Sequence, residues 1–190
     1  MIPFPDKKYK TIYADPPWPE YGGGKIKRGA DRHYDLMKVK DIMALPVADL
    51  TEDNCHLYLW ATNNYLEQAY AVMRAWGFIP KTKITWVKGV AAPNGTYKLE
   101  NPGLGQYFRG LDEVCLFGVK GVLPYKTLNS KRQQGKTVFV APRGEHSEKP
   151  KEMYEMIEKV SYAPYIELFA RNKRVGWDVW GNEVESDVKI

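Results

Sequence analysis

The sequence predicts a single α/β domain over residues 1–190, with a mostly parallel mixed sheet and helices on both faces. Two observations support this prediction: short apolar runs of strand type recur along the chain, and segments with helical periodicity separate many of them. Some antiparallel pairing is expected where no helix lies between two strands. A chain of 190 residues is long enough to build one sizeable core.

The first half of the chain is predicted to contain two strands and two helices. A strand over residues 11–14 ends at Asp15, and a glycine-rich charged loop follows over residues 19–35. A short helix over residues 38–45 precedes a continuous apolar run at 56–61, which is typical of a strand buried on both faces. Asn63 or Asn64 can cap the next helix, and Gly77 ends it.

The second half is predicted to contain four strands and one helix. The strand at 79–88 leads into a polar segment, residues 89–110, whose length as a loop suggests a function. Strands at 113–119 and 137–141 follow, then a helix at 150–160 and a last long strand at 165–170. The remaining residues, including Trp177 and Trp180, are interpreted as a tail.

The composition excludes several classes of protein. The chain is 44% hydrophobic and 27% charged, which is ordinary for a soluble globular protein. No run approaches the ~18 apolar residues of a membrane helix, and the amino terminus does not resemble a signal peptide. Cys55 and Cys115 lie in apolar runs without metal-ligand spacing, so we expect reduced buried thiols, no metal and a cytoplasmic protein.

Positive charge is concentrated in two polar segments. The chain carries a formal net charge of +5. One cluster contains Lys27 and Arg28, and the other extends from Lys126 to Lys136. Basic loops favour a polyanionic partner, although a face of lysines that is merely solvated is equally common.

The most informative motif is Asp15-Pro16-Pro17-Trp18, which directly follows the first strand. Ligands of open α/β sheets bind at the carboxyl ends of the strands. Because proline has no backbone N–H, this loop presents hydrogen-bond acceptors and few donors. Such a site, lined by an aromatic ring, suits a flat heterocycle that carries an amino group, and adenine is the first candidate. The alternative is a proline-rich strand end with a tryptophan in the core.

Two further clusters favour a ligand site. Lys149 lies between a strand and a helix, where free N–H groups and a positive charge could hold a carboxylate, although Ser147 could simply cap that helix. Asn182 and Glu183 offer an amide and a carboxylate for vicinal hydroxyls.

Seven segments follow one another along the chain: Asp15-Pro16-Pro17-Trp18, His33-Tyr34, Leu57-Tyr58-Leu59-Trp60-Ala61-Thr62-Asn63, Thr85-Trp86-Val87-Lys88, His146-Ser147-Glu148-Lys149-Pro150, Glu167-Leu168-Phe169-Ala170-Arg171 and Trp177-Asp178-Val179-Trp180-Gly181-Asn182-Glu183. Taken in this order, they resemble the motifs of the DPPW adenine-N6 methyltransferases, the MT-A family. The family includes the eukaryotic messenger-RNA adenosine methyltransferase and small prokaryotic and phage enzymes. The resemblance covers nearly the whole chain and implies a permuted Rossmann-like fold, in which the strand before Asp15 precedes the cofactor-binding strand, here residues 167–170. The implied methyl donor is S-adenosylmethionine.

The resemblance also assigns roles to individual residues. Asp15 and Pro16 would accept the target amino group, Pro17 would shape the turn, and Trp18 would line the pocket and help to stack the base. The implied cofactor-binding residues are Asp15, Lys149, Phe169, Arg171, Asn172, Asn182 and Glu183. The implied substrate-binding residues are Tyr34, which would lie against the target base, and His33, Trp86, Lys88, Lys27 and Arg28.

Two departures from the family stand out. Its messenger-RNA enzymes carry a segment upstream of the motif that contacts the cofactor's adenine. This chain begins fourteen residues before Asp15, so another element is expected to contact that adenine. Glu183 replaces an amide, which leaves its hydroxyl contact a prediction.

The predicted activity is adenine-N6 methylation of DNA in a prokaryotic or phage-infected cell. Methylation of RNA and a catalytically silent nucleic-acid-binding subunit are the alternatives, and a homodimer is an open option. The intact Asp15-Pro16-Pro17-Trp18 segment, called the acidic motif below, favours an enzyme. The recognition sequence does not follow from these residues.

Overall fold

The computed structural model describes residues 7–19, 36–103, 107–144 and 148–185. Within these ranges helices lie between strands near both ends of the chain, whereas six strands follow one another in its middle. Two 3-10 turns, Val47–Leu50 and Asn63–Tyr65, lie before β2 and α2. The elements in chain order are β1 Tyr9–Ala14, α1 Val39–Met43, β2 Thr51–Ala61, α2 Leu66–Ala75, β3 Ile79–Ala91, β4 Tyr97–Leu99, β5 Asp112–Lys120, β6 Thr127–Leu128, β7 Lys131–Arg132, β8 Val138–Ala141, α3 Lys151–Val160, β9 Tyr165–Leu168 and β10 Trp177–Trp180.

Eight of these strands form one mixed sheet in the order β10-β9-β1-β2-β5-β3-β4, with β8 paired to β3. Parallel pairs join β10 to β9, β9 to β1, β1 to β2 and β3 to β8. Strand β5 is antiparallel to both of its neighbours, and β4 turns back along β3. The predicted mostly parallel mixed sheet is therefore confirmed. So is the permuted strand order, since β9 comes late in the chain and lies directly beside β1.

Helices cover both faces of the sheet, as predicted. Residues such as Ile12 and Leu59 point to the face that holds the helix residues Val72 and Met73. Tyr13 points to the opposite face, which Met153 and Ile157 of α3 cover. The apolar run in β2 is continuous because this strand is buried on both sides.

Several boundaries differ from the prediction. Residues 89–110 are not one loop, because β3 continues to Ala91 and pairs with β4 around a turn in which Gly95 has a φ of +80°. Neither Asn63 nor Asn64 caps α2 through its side chain, since both lie in a 3-10 turn that precedes it. The interpretation of residues 177–180 as a tail is wrong: β10 pairs with β9 at the edge of the sheet. Ser147 lies outside the described residues.

Both cysteines are buried free thiols, as predicted. Burial raises the pKa of the Cys55 thiol to about 12, which keeps it protonated at neutral pH. None of the helices in the described ranges is long and apolar enough to cross a membrane.

A buried polar cluster lies at the edge of the sheet where β9 begins. His56 Nδ1 is 2.7 Å from Ser161 Oγ, which is also 2.7 Å from the Tyr58 hydroxyl. The Leu123 carbonyl can only accept, so His56 Nε2 donates to it over 3.1 Å. Burial lowers the pKa of His56, and the bond to Leu123 offsets part of this shift. The imidazole is therefore neutral in the folded protein.

This cluster predicts a pH-dependent stability. Below about pH 6.5 the unfolded chain takes up a proton at His56 that the folded chain does not. The free energy of unfolding should therefore fall as the pH is lowered from 7 towards 5. Urea unfolding of wild type and His56→Gln at pH 7.0 and 5.5 checks this. The glutamine variant should show the smaller pH dependence, and equal dependence in both proteins would contradict it.

Candidate active site

Three segments that are distant in the chain meet at the carboxyl edge of the sheet, where β1, β9 and β10 end. Ala14 pairs with Leu168, and Leu168 pairs with Trp180. The residues that directly follow the three strands are therefore neighbours: Asp15, Phe169 and Gly181. The acidic motif of the first strand thus lies beside both segments that were predicted to hold the cofactor.

The Asp15-Pro16-Pro17-Trp18 turn is fixed by hydrogen bonds from both sides. The Trp18 N–H donates to the Pro16 carbonyl over 2.8 Å, and the Met37 N–H donates to the Pro17 carbonyl over 2.9 Å. The Trp18 indole donates to the Trp60 carbonyl over 2.9 Å. Since Asp15 directly precedes this anchored turn, its backbone position is fixed as well.

Trp18 does not line an open pocket in this structure. Its side chain is 4% exposed, and its ring stacks on Tyr65 at a centroid distance of 6.0 Å. The predicted stacking of Trp18 on a base therefore has no exposed ring face here, and the indole instead supports the turn. The cause is the direction of the chain after Pro17, which turns the ring into the core beside α2.

The main electrostatic feature of the edge is a row of four alternating charges. Lys149 Nζ is 2.8 Å from Asp15 Oδ2 and 3.2 Å from Glu113 Oε2. The other oxygen of Glu113 is 2.7 Å from Lys88 Nζ. Among the described residues, Asp15 Oδ1 has no hydrogen-bond partner. One carboxylate oxygen of the motif is thus held, and the other remains available.

Glu113 is a site residue that the sequence reasoning missed. It lies in β5, which runs antiparallel to β2, so the beginning of β5 reaches the same edge as the end of β2. The available signal was its position at the start of a predicted strand. That signal could be used only after the direction of this strand was known.

Burial and charge act in opposite directions on this row. Burial raises the pKa of Asp15, and the neighbouring Lys149 ammonium opposes part of the rise. Burial also acts to raise the pKa of Glu113, but the lysines on either side outweigh it, and the pKa is lowered. The two carboxylates raise the pKa of Lys149 against its own burial. Lys149 is therefore a cation at neutral pH.

Aromatic rings lie beneath the row. Lys149 Nζ lies 5.2 Å from the centroid of Trp60, and Lys88 Nζ lies 5.2 Å from that of Trp86. The Trp86 indole donates to the Ala141 carbonyl over 2.8 Å, and its side chain is 2% exposed. Trp86 was predicted to bind substrate, but its ring is a core residue here because it faces α3. Lys88, predicted for the same role, is paired with Glu113.

Glu167 is a further carboxyl group near this edge of the sheet. It pairs in register with Tyr13 of β1, two residues before Asp15. The Tyr154 hydroxyl lies within 2.9 and 3.0 Å of its two oxygens. Burial raises the pKa of Glu167 to about 7, more than the Tyr154 hydrogen bond lowers it. This group therefore titrates near neutral pH.

The segments after β9 and β10 are in close contact. Phe169 has a φ of 65°, which is unusual for a residue with a side chain, and it ends β9 earlier than predicted. Its ring packs edge-on against Trp180 at 5.5 Å. Arg171 Nε lies 3.7 Å from Glu183 Oε1. Asn172 and Asn182 are exposed at the same edge.

Thr62 adds a buried hydroxyl at the end of β2. Its Oγ1 has no hydrogen-bond partner within the described part of the chain. A buried hydroxyl without a partner costs about 1–3 kcal/mol. A water molecule or a ligand atom at this edge would recover that cost.

The structure does not describe the remaining residues that were predicted to bind substrate. Tyr34, His33, Lys27 and Arg28 lie outside the described residues. The basic cluster at residues 126–136 lies towards the opposite edge, because Lys126 Nζ contacts the hydroxyl of Tyr165, the first residue of β9, at 3.1 Å. This cluster therefore does not adjoin Asp15.

Comparison with known proteins relates this chain to one family. Residues 9–183 match the MT-A70 family. The Type II methyltransferase M.MunI of Mycoplasma sp is 35% identical over 95% of this chain and 79% of its own length. The N(6)-adenosine-methyltransferase MT-A70-like of Arabidopsis thaliana is 30% identical over 93% of this chain. The N(6)-adenine-specific methyltransferase METTL4 of Homo sapiens is 27% identical over 94%. The chain spans 24% and 38% of the lengths of these last two relatives.

Fold, site and relatives together define a methyltransferase. The chain belongs to the MT-A70 family. The resemblance drawn from the motifs is thereby confirmed.

Gly181 is predicted to be required for the contact between the two segments. A Cβ at this position would overlap the carbonyl oxygen of Ala170. Because the overlap is with backbone, Gly181→Ala should separate Arg171 from Glu183 and cost about 1–3 kcal/mol of stability. Thermal unfolding measures the loss of stability. Calorimetric titration with S-adenosylmethionine reports on the separation of Arg171 from Glu183, which were both predicted to bind this cofactor.

Gly110→Ala is the matched control, because a Cβ at Gly110 meets no atom within 4 Å. It should leave the melting temperature and the titration unchanged. Equal behaviour of the two variants would show that close contact at Gly181 is not required.

Proposed function

We propose that this methyltransferase transfers a methyl group from S-adenosylmethionine to the exocyclic N6 amino group of adenine in DNA. The observation that carries the proposal is the position of Asp15. One of its oxygens is held by Lys149 at 2.8 Å, while the other has no partner among the described residues. A carboxylate with one oxygen held and the other open can accept a hydrogen bond from an incoming amino group.

The residues at the carboxyl edge fit the proposed cofactor. S-adenosylmethionine combines an amino-acid carboxylate, vicinal ribose hydroxyls and an electrophilic methyl group, and when bound it supplies that methyl group. Arg171 offers a cation for the carboxylate, and Glu183 and Asn182 offer polar atoms for the hydroxyls. The buried Thr62 hydroxyl and the tight backbone contact at Gly181 are further features of a built site.

Among the proposed cofactor residues, Lys149 and Arg171 differ in exposure. The side chain of Lys149 is 10% exposed and lies between two carboxylates. The side chain of Arg171 is 31% exposed. We therefore assign the cofactor carboxylate to Arg171 and the positioning of Asp15 to Lys149. Phe169 would pack against the cofactor, and Asn172 would reach it from the same turn.

The proposed chemistry depends on the acceptors of the motif. The amino nitrogen of adenine is a weak nucleophile because its lone pair is delocalised into the ring. Asp15 Oδ1 and the Pro16 carbonyl would each accept one N–H, although the Pro16 oxygen already accepts the Trp18 N–H and has only its second lone pair to offer. With both hydrogens held, the nitrogen lone pair can point at the methyl carbon.

Positive charge develops on the amino nitrogen during transfer, and the same acceptors stabilise it. The nitrogen must then release one proton. Asp15 Oδ1 is in position to take it, and the burial that raises the Asp15 pKa makes this oxygen a better base. Glu113 keeps Lys149 at a fixed distance from Asp15, so that the ammonium does not enter the space of the amino group.

DNA is the favoured substrate because the Mycoplasma type II methyltransferase matches over most of both chains. RNA is the second candidate, since several relatives are named N(6)-adenosine-methyltransferases, including METTL3 of Homo sapiens at 29% identity over 94% of this chain. A silent binding subunit is less favoured, because the acidic motif is intact and its side chain is held in place. In a duplex the target base would have to be flipped out of the stack.

The decisive experiment is incubation with radiolabelled S-adenosylmethionine and matched DNA and RNA oligonucleotides, followed by digestion and identification of the modified nucleoside. N6-methyldeoxyadenosine is the expected product. Label only in RNA would move the substrate to RNA, and label in neither would overturn the proposed activity.

Asp15→Asn is predicted to reduce the rate of methyl transfer by about 10²–10³, because it removes one charged acceptor from the transition state. Single-turnover assays with saturating cofactor measure this rate. Asp178→Asn is the matched control, since Asp178 lies on the outer strand β10 and forms an ion pair with Lys7 there. It should leave the rate unchanged. Retention of the full rate by Asp15→Asn would show that the negative charge of Asp15 does not contribute to methyl transfer.

Lys149→Met is predicted to shift the acid limb of the pH–rate profile to higher pH. Asp15 must be ionised to act, so activity falls as the pH drops through its pKa. Without the ammonium, burial and the Glu113 carboxylate both raise that pKa, and only the smaller effect of Arg171 opposes them. Lys149→Arg keeps the charge and should keep the limb near its wild-type position. Identical acid limbs in wild type and Lys149→Met would show that Lys149 does not control the ionisation of Asp15.

A further inference from the structure

The most exposed pair of aromatic side chains in the described chain lies in the segment that leads into β5. Tyr107 is 85% exposed and Phe108 is 92% exposed. Large aromatic side chains usually contribute to a core, so two adjacent rings in solvent are an unexpected loss of burial. Neither residue belongs to the acidic motif or to the segments that hold the cofactor.

The described residues on both sides of the pair are hydrogen-bonded to one another. The Gly103 N–H donates to the Gly110 carbonyl over 2.7 Å. Arg109 donates to the carbonyls of Pro102 and Gly103, each over 3.0 Å. These bonds fix Arg109 and Gly110, which directly follow the pair, while the rings of Tyr107 and Phe108 stay exposed.

The base of this loop is joined to the charged row of the active site. The Lys88 N–H donates to the Leu111 carbonyl over 2.9 Å, and the Glu100 N–H donates to the Lys88 carbonyl over 3.0 Å. The side chain of the same Lys88 is bonded to Glu113. Tyr107 lies four positions before Leu111, so their Cα atoms are at most about 14 Å apart. The pair therefore belongs to the segment that leads into β5 at the edge of the proposed site.

The pair is too small to be a subunit interface by itself. An aromatic side chain buries roughly 150–250 Å², whereas a stable interface needs about 800 Å² from each partner. A planar ring of this size is, however, sufficient to stack on one nucleobase. Arg109 has no carboxylate partner among the described residues, so it retains a positive charge beside the rings.

We propose that Tyr107 and Phe108 form a stacking platform for an unpaired or partly unstacked base near the target adenine. Stacking on these rings would hold the strand on one side of the site while the target base is placed against Asp15. The inference rests on the proposed function for its ligand, a nucleic-acid strand. It assigns the two residues to substrate positioning and not to the chemical step.

The test is the affinity for fluorescein-labelled single-stranded and duplex DNA 20-mers, measured by anisotropy from low to moderate salt. Tyr107→Ala/Phe108→Ala should bind on the order of tenfold more weakly or worse. Its salt dependence should equal that of wild type, because no phosphate contact is lost. Tyr107→Phe/Phe108→Tyr keeps both rings and should bind as wild type does.

Two controls separate stacking from a general loss of exposed apolar surface. Tyr97→Ala removes an exposed aromatic ring from the neighbouring strand β4, where Tyr97 is 59% exposed, and should not change the affinity. Tyr107→Leu/Phe108→Leu keeps apolar side chains without planar rings and should bind as weakly as the alanine variant. If the leucine variant binds as wild type does, stacking is excluded.

Failure of this inference is distinguishable from failure of the proposed function. Anisotropy needs no methyl transfer, so it tests the platform even if wild type methylates neither nucleic acid. Unchanged affinity in the alanine variant would overturn the platform. So would a change in oligomeric state by sedimentation velocity with unchanged DNA affinity, which would make the pair a contact between copies of this chain.

Discussion

The proposed active site of this protein depends on one cation placed between two partly buried carboxylates. Lys149 bridges Asp15 and Glu113, and these residues come from three parts of the chain: the end of β1, the start of β5 and the connection before α3. Without the ammonium the two carboxylates would face each other at a poorly solvated edge, where repulsion and desolvation both favour protonation. The bridge therefore sets the ionisation states as well as the positions, and Lys88 completes its charge balance.

Sheet geometry determines what else reaches this bridge. Because β1 lies between β2 and β9, the acidic motif has the Thr62 end of β2 on one side and Phe169 on the other. Strand β10 brings Gly181 to the next position, where only a residue without a Cβ permits close contact with Ala170. The late position of β9 in the chain does not affect this arrangement, since parallel strands meet at one edge whatever their order. The site is thus built on strand ends, which are among the more rigid parts of a fold.

The residues proposed for the chemical step and those proposed for substrate binding differ in charge and in exposure. The chemical task is assigned to half-buried groups whose pKa values are shifted by burial and by their neighbours, Asp15 and Glu113 among them. The binding task is assigned to exposed groups on a loop, such as Tyr107 and Phe108, that can meet a ligand without disturbing the core. This division is common in enzymes, because loops can change without unfolding the scaffold that carries the catalytic groups.

The sequence by itself determined the fold class, the family and the acidic motif. Apolar runs such as residues 56–61 and the proline pair after Asp15 can be interpreted from the adjacent residues alone. Tertiary structure decided the rest. Glu113 joined the site because β5 runs antiparallel, β10 formed because β9 offered it an edge, and Trp18 and Trp86 turned into the core because helices cover the faces they point to. Strand direction, edge pairing and the side of the sheet are relations between distant segments, and no local pattern of residues encodes them.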